Sequence, residues 1–209
     1  MISIRFWDMM ISEGYSQDVY IADFTNFVGK PGYDNLPCQG VMVGIQENGI
    51  IPSFIIRDER AFPFSVINNE HNPAVFKRED GSPMTQCECI VYSERNDNRK
   101  GWLFFLELKY CEPKNRYYRM LEGISQLKTT CNYILKERQE LDATLFNKMF
   151  LVVSTPGVEP LDPFDASYFD QDYILTVKEE TGALVKAVNE VSILTPALLR
   201  FRGEKNGAT

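Results

Sequence analysis

The amino-acid sequence predicts an α/β domain with a central mixed β-sheet flanked by helices. Its 209 residues, 44% of them hydrophobic, suffice for one substantial core, so a single domain over residues 1–209 is expected. Two apolar runs, 85–93 and 102–111, read as strands joined by a polar turn. A helical pattern over about 115–135 then precedes another apolar run, 149–156. The order is strand, strand, helix, strand.

The remaining segments give weaker patterns. Residues 40–57 hold two apolar runs around Asn48-Gly49, which predicts a β-hairpin. Residues 62–83 are irregular and predict loops or a short strand. Residues 167–194 predict mixed elements. No repeat, low-complexity tract or clear linker divides the chain.

The sequence also indicates the cellular location of the protein. No apolar run approaches the roughly 18 to 20 residues that cross a bilayer. The first residues carry acids and polar side chains where a secretory signal would be apolar. Five cysteines, an odd number, fit free thiols in a reducing compartment. A cytoplasmic protein with no membrane partner is expected, and a homodimer is compatible with the sequence.

The first two strands can be paired from their turn. A turn symmetric about Asp97-Asn98 places Glu88 opposite Glu107 and Gln86 opposite Lys109. Directly opposed residues share a face, with Cβ atoms about 4.5 to 5.5 Å apart. The predicted hairpin therefore brings two carboxylates and a lysine together at its open end.

Alternation along the strands assigns the two faces of this hairpin. Toward the turn, the face that carries the acids becomes apolar. The other face is predicted to be core and holds Cys87, Cys89, Val91, Phe104, Leu106 and Leu108. A thiolate metal site that also uses Cys111 is a weaker alternative, because the same register puts Cys111 on the opposite face from Cys87 and Cys89.

Two facing carboxylates repel each other, so either one is protonated or a divalent cation lies between them. Oxygen ligands favour Mg²⁺ or Mn²⁺ over zinc. With a lysine to orient water, Glu88, Glu107 and Lys109 suit the hydrolysis of a phosphodiester bond. The alternative is that Glu107 and Lys109 end their strand at the surface and pair with each other or with solvent.

These residues resemble the PD-(D/E)XK nuclease superfamily, which has the restriction-endonuclease-like fold. The matching segments are CEC, which contains Glu88, LELK, which contains Glu107 and Lys109, and EGISQLKTT, which contains Gln126. The resemblance implies that both acids bind the metal, the lysine assists the attacking water and the helix residue supports the site. It covers about 85–154 as a nuclease-like core and leaves 1–80 as an N-terminal elaboration.

An E-x-K tripeptide occurs by chance about once in a chain of this length, so its placement in an apolar strand opposite another acid carries the resemblance. The chain departs from the superfamily in having Glu88 after Cys87, where an aspartate, often after proline, is usual. Glu70 is the candidate for the acid that many members carry on an upstream helix. The implied function is an Mg²⁺-dependent nuclease acting on DNA. The alternative is an inactive nuclease-like fold that binds nucleic acid or protein.

A basic band accompanies the predicted site. Residues 95–138 contain ten Lys and Arg against five Asp and Glu, although the whole chain has a net charge of −7. Lys114, Arg119 and Lys128 are the expected contacts to the nucleic-acid backbone, and a solvated helix and hairpin tip is the alternative. Helical periodicity places Lys128 in the apolar stripe and Gln126 nearly opposite, whereas the resemblance favours Gln126.

Overall fold

The computed structural model describes residues 10–36, 39–73, 75–78, 80–94, 100–137, 146–158 and 169–202, without the side chains of residues 136 and 137. The strands and helices in chain order are β1 Glu13–Tyr15, β2 Val19–Asp23, β3 Val41–Gly44, β4 Phe54–Arg57, β5 Phe64–Asn68, β6 Cys89–Ser93, β7 Gly101–Leu108, α1 Arg116–Asn132, β8 Phe146–Ser154, α2 Gln171–Thr181, β9 Leu184–Ala187, β10 Glu190–Thr195 and β11 Leu198–Phe201. Short 3₁₀ turns cover Asn69–His71 and Pro113–Asn115, and a π-helical turn, Tyr133–Glu137, follows α1.

The strands form two mixed sheets. The six-stranded sheet has the order β1-β5-β6-β7-β8-β9, and the five-stranded sheet has the order β11-β10-β4-β2-β3. In the first sheet β8 runs parallel to β7 and β9, while β6 runs antiparallel to both of its neighbours, β5 and β7. In the second sheet β10 runs parallel to β4. The predicted α/β class with a mixed sheet and flanking helices is confirmed.

The six-stranded sheet is the middle layer of three. On one face Ile90 and Phe105 pack with Ile124 and Leu127 of α1. On the other face residues such as Phe104 pack against the five-stranded sheet. All eight residues of β7 are buried, which explains its nearly continuous apolar run. No helix in the described ranges is long and apolar enough to cross a membrane.

The hairpin predicted over 40–57 is wrong, because β3 and β4 both pair with β2, which lies between them. Asn48 instead organises a loop, since its side-chain oxygen accepts hydrogen bonds from the N–H groups of Ile50 and Ile51. Ile51 is buried with Phe24 in a small separate cluster. The second apolar run therefore begins in a loop before it reaches β4.

Residues before position 80 enter both sheets. They supply β1 and β5 to the six-stranded sheet and β2, β3 and β4 to the other. The sequence patterns did not predict β1 or β2, and they left 62–83 as loops or a short strand. In that segment β5 forms a fully buried strand beside β6.

The register of β6 and β7 is as predicted from Cys89–Leu106 to Tyr92–Leu103. The turn centred on Asp97-Asn98, from which that register was inferred, lies outside the described residues. Arg95, Arg99 and Arg138 of the basic band lie outside them as well. The described parts of β6 and β7 therefore have the predicted register as far as Cys89–Leu106, the last pair before the acids.

Candidate active site

The strand pairing changes at Glu88. The ladder ends at Cys89–Leu106, and the Glu88 N–H donates to the Leu106 carbonyl at 3.0 Å. Glu88 and Cys89 therefore both oppose Leu106, which is the pattern of a β-bulge. The predicted pairs Glu88–Glu107 and Gln86–Lys109 do not continue the ladder.

The extra residue reverses the side on which the preceding cysteine lies. Cys87 packs in the cluster beneath the helices, whereas Cys89 packs between the two sheets. The prediction that both thiols share a face is therefore wrong. Burial raises the pKa of both thiols well above the ordinary value, so these cysteines are neutral core residues and unsuited to thiolate ligation.

Glu107 is a buried carboxylate near the end of β7. Its side chain is 1% exposed, and its Oε1 accepts from Lys109 Nζ at 2.8 Å. Its Oε2 is buried without a hydrogen-bond partner. Glu107 and Lys109 do pair with each other, as one interpretation of the sequence expected, but the carboxylate lies inside the protein and not at its surface.

The Glu107–Lys109 pair continues outward as a chain of alternating charges. Lys109 Nζ lies 3.7 Å from Glu122 Oε1, and Arg119 donates to Glu122 Oε2 at 2.8 Å. The hydrogen bond from Arg119 lowers the pKa of Glu122. A buried acid is thus connected through one lysine and one acid to a surface guanidinium.

Further carboxylates surround Glu88. Burial is the largest cause of the raised pKa of Glu88, followed by the negative charges of Glu107, Asp23 and Glu70. Burial also raises the pKa of Glu107, against the lowering effect of Lys109. Both acids are therefore more easily protonated than a solvated glutamate, and a nearby cation would favour their ionised forms.

Two of these acids come from the N-terminal part of the chain, where the sequence analysis named Glu70 as the candidate upstream acid and gave Asp23 no role. Asp23 ends β2 in the second sheet and is 5% exposed. The Tyr110 hydroxyl accepts from the Asp23 N–H at 3.3 Å and donates to the Pro52 carbonyl at 2.9 Å. Glu70 lies in the 3₁₀ turn and accepts from the Val41 N–H at 2.8 Å. A charged residue that closes an apolar run, as in VYIAD, was the available signal for Asp23.

Helix α1 approaches the site most closely at Gly123. A Cβ atom there would lie 2.7 Å from Val153 Cγ2, 3.3 Å from Glu107 Cγ and 3.4 Å from Lys109 Cγ. Seven residues later, Thr130 Oγ1 accepts from the Cys87 N–H at 2.8 Å. The helix therefore contacts the ends of both hairpin strands.

Gln126 lies on the same helix ridge, between Gly123 and Thr130. Its Oε1 is buried without a hydrogen-bond partner. Periodicity misplaced this residue because Gly123 and Thr130, which are both buried, do not count as apolar positions in the pattern. The structure brings Gln126 to the margin of the buried face of α1.

The three predicted nucleic-acid contacts all have acidic partners. Lys114 pairs with Glu112 at 2.7 Å, and Arg119 pairs with Glu122. Lys128 pairs with Glu180 of α2, away from the Glu107–Lys109 pair. The local surface is therefore less positive than the count of basic residues suggests.

Carboxylate oxygens, as in Glu88 and Glu107, are ligands of the kind that a hard divalent cation takes. Among the described residues, no three or more His, Cys, Asp or Glu side chains are arranged to hold a metal ion. Mg²⁺ commonly uses only one or two carboxylates and keeps several waters. Glu88 and Glu107 would be such a pair, and Glu107 Oε2 is a buried acceptor without a hydrogen-bond partner that a cation or its water would satisfy.

Gly123→Ala is expected to destabilise the protein by about 1 to 3 kcal/mol because the new methyl group overpacks against Val153. In an open helix position the same change would stabilise by about 0.5 to 1 kcal/mol. The free energy of unfolding, measured by urea titration, shows whether the substitution destabilises or stabilises the protein. Ser125→Ala, at an exposed position of α1, is the control and should change stability by less than about 0.5 kcal/mol. A Gly123→Ala protein as stable as the wild type would contradict the close approach.

Stability is expected to fall as pH rises from about 5 to about 9. Glu88 and Glu107 have pKa values raised by folding, so above the ordinary glutamate pKa the unfolded chain releases protons that the folded chain retains. Urea midpoints across this range measure the slope. Glu88→Gln should flatten it, whereas Glu179→Gln, on the exposed side of α2, should leave it unchanged. A slope equal in wild type and Glu88→Gln would contradict the assignment.

Comparison with known proteins identifies no relative. No family model matches the chain, and no curated protein or solved structure matches it either. Because a fold alone does not define an activity, the function has to be inferred from the chemistry of the site.

Proposed function

We propose that this protein is a metal-dependent nuclease of the PD-(D/E)XK type that hydrolyses phosphodiester bonds, with DNA as the expected substrate and the cytoplasm as its location. The observation that carries the proposal is the buried Glu107. Its carboxylate binds Lys109 through one oxygen and leaves the other without a partner. A buried acid in an apolar strand is costly unless it is paired or binds a ligand.

The arrangement of elements also supports the proposal. The order strand, strand, helix, strand that the resemblance implies matches β6, β7, α1 and β8. The mixed pairing in this region, antiparallel between β6 and β7 and parallel between β7 and β8, places Glu107 near the end of the shared central strand. Helix α1 packs against that end through Gly123.

Each residue has a proposed role. Glu88 and Glu107 hold Mg²⁺ or Mn²⁺, which when bound would supply a water of lowered pKa and an electrophile for a phosphoryl oxygen. Lys109, fixed by Glu107 and Glu122, orients the attacking water by hydrogen bonding. Gln126 supports this arrangement from the helix through its side-chain amide.

The reaction is a hydrolysis and needs no oxidant or reductant. A bond forms between the water oxygen and phosphorus, and the bond between phosphorus and the leaving sugar oxygen breaks. One water proton is released to solvent, and the leaving oxygen takes up one proton. The products are a phosphate monoester and an alcohol.

Metal-dependent cleavage by the wild-type protein tests the proposal. Purified protein is incubated with supercoiled plasmid, single-stranded DNA and RNA, in the presence of Mg²⁺, Mn²⁺ or EDTA. Cleavage of at least one substrate that requires the metal is expected. Inertness toward all three substrates with both metals would overturn the proposal.

The second candidate is a nuclease-like fold that binds nucleic acid or protein without catalysis. The acidic partners of Lys114, Arg119 and Lys128 favour it, because they reduce the positive charge available to a nucleic-acid backbone. Binding of a partner without metal dependence, together with inertness in the cleavage assay, would support this candidate.

A further inference from the structure

A row of aromatic rings leads outward at the start of α1. The rings of Phe169 and Tyr117 stack with centroids 6.4 Å apart, and Tyr117 meets Tyr118 edge to face at 5.6 Å. Phe169 is buried, whereas Tyr118 is 73% exposed. The buried end of the row thus supports a ring that presents much of its surface to solvent.

This exposed ring lies beside the candidate active site. Tyr118 is one helical turn before Glu122, a separation that places side chains about 5 to 6 Å apart at Cβ. Glu122 contacts Lys109 and Arg119, and Lys109 contacts Glu107. A ligand covering Tyr118 and Arg119 would therefore extend toward the Glu107–Lys109 pair.

Arg119 can exchange its partner at low cost. Both members of the Arg119–Glu122 pair are about half exposed, at 52% and 49%. An exposed ion pair contributes about 0 to 1 kcal/mol. A phosphate, which a guanidinium binds through paired charge-assisted hydrogen bonds, can replace the Glu122 carboxylate.

We infer that Tyr118 is a stacking platform for an unpaired base and that Arg119 binds an adjacent phosphate, so that the ligand is single-stranded nucleic acid. Aromatic rings beside basic side chains are the usual means of holding single strands, because every base offers a flat face once it is unpaired. A continuous duplex offers no such face to a side chain. Tyr and Arg are also enriched in protein interfaces, so a protein partner is the competing outcome that the experiment below separates.

The inference rests on the nuclease proposal for the location of the reacting phosphate, but binding alone tests it. Fluorescence anisotropy in EDTA would measure the affinity for a labelled oligothymidylate of about 12 nucleotides, within the usual site size of single-strand binders. Tyr118→Ala is expected to weaken binding about tenfold, while Tyr118→Phe, which keeps the ring, stays within about twofold of wild type. Leu175→Ala, at an exposed apolar residue of α2, is the matched control and should bind like the wild type.

Equal affinities of wild type and Tyr118→Ala for the oligonucleotide would overturn the inference, as would tighter binding to a blunt duplex. Loss of self-association in Tyr118→Ala without a change in oligonucleotide binding would also overturn it and assign the ring to a protein interface. Binding that depends on Tyr118 without any metal-dependent cleavage would support this inference and fail the nuclease proposal. Cleavage that requires Glu107 but is unchanged in Tyr118→Ala would support the nuclease proposal and overturn this inference.

Discussion

Glu107→Gln is expected to lower metal-dependent cleavage at least about a hundredfold while the protein remains folded. The substitution keeps the shape of the side chain but removes the charge that would hold the cation and fix Lys109. Losing one preorganised electrostatic group in an active site commonly reduces the rate about 10² to 10³-fold. The ratio kcat/KM for nicking of plasmid DNA, measured with Mn²⁺, gives the effect.

Glu179→Gln is the control, because it removes a carboxylate from an exposed position of α2. It should cleave like the wild type. Circular dichroism and thermal unfolding establish that both variants are folded. A Glu107→Gln protein that cleaves at the wild-type rate would exclude Glu107 as a metal ligand, and an equal loss in Glu179→Gln would reveal a general effect of charge.

The strand register shows what local patterns can predict. Ile90–Phe105 and Tyr92–Leu103 pair as expected, because a short connection between the two strands leaves few alternative registers. The bulge at Glu88 was not predictable from alternation, since it depends on a hydrogen bond to Leu106 at the point where regular pairing ends. The register was therefore predicted correctly as far as Cys89–Leu106, while the direct opposition of Glu88 and Glu107 was not obtained.

Contacts between distant segments account for the other differences. Asn48-Gly49 has the composition of a tight turn, but β2, from earlier in the chain, inserts between the two strands. Asp23 reaches the acidic cluster because the second sheet packs on the six-stranded one. Helix α1 comes close to Glu107 and Lys109 because Gly123 has no side chain. Each feature requires tertiary packing that periodicity within one segment does not contain.

Removing Lys109 alone should reveal how much the buried acid destabilises the fold. Lys109→Met leaves Glu107, which is 1% exposed, without its closest cation. Breaking one side of a buried ion pair typically costs about 3 to 5 kcal/mol. The loss should be present at about pH 8 and smaller at about pH 5, because without Lys109 the folded-state pKa of Glu107 rises further and the carboxyl is neutral at low pH. Urea titrations at both pH values measure this difference.

Replacing both partners tests whether the charges are retained for stability or for chemistry. Glu107→Leu combined with Lys109→Met keeps similar side-chain volumes and removes the buried charges, an exchange that is often neutral or stabilising by about 1 to 4 kcal/mol. We expect the double variant to be at least as stable as the wild type at about pH 8 and to lack metal-dependent cleavage. A double variant as unstable as Lys109→Met alone would show that the ion pair stabilises the fold, and the buried Glu107 would then no longer argue for a catalytic site. A double variant that is stable but inactive would instead mean that Glu107 is retained in β7 for the reaction, although burying its carboxylate destabilises the fold.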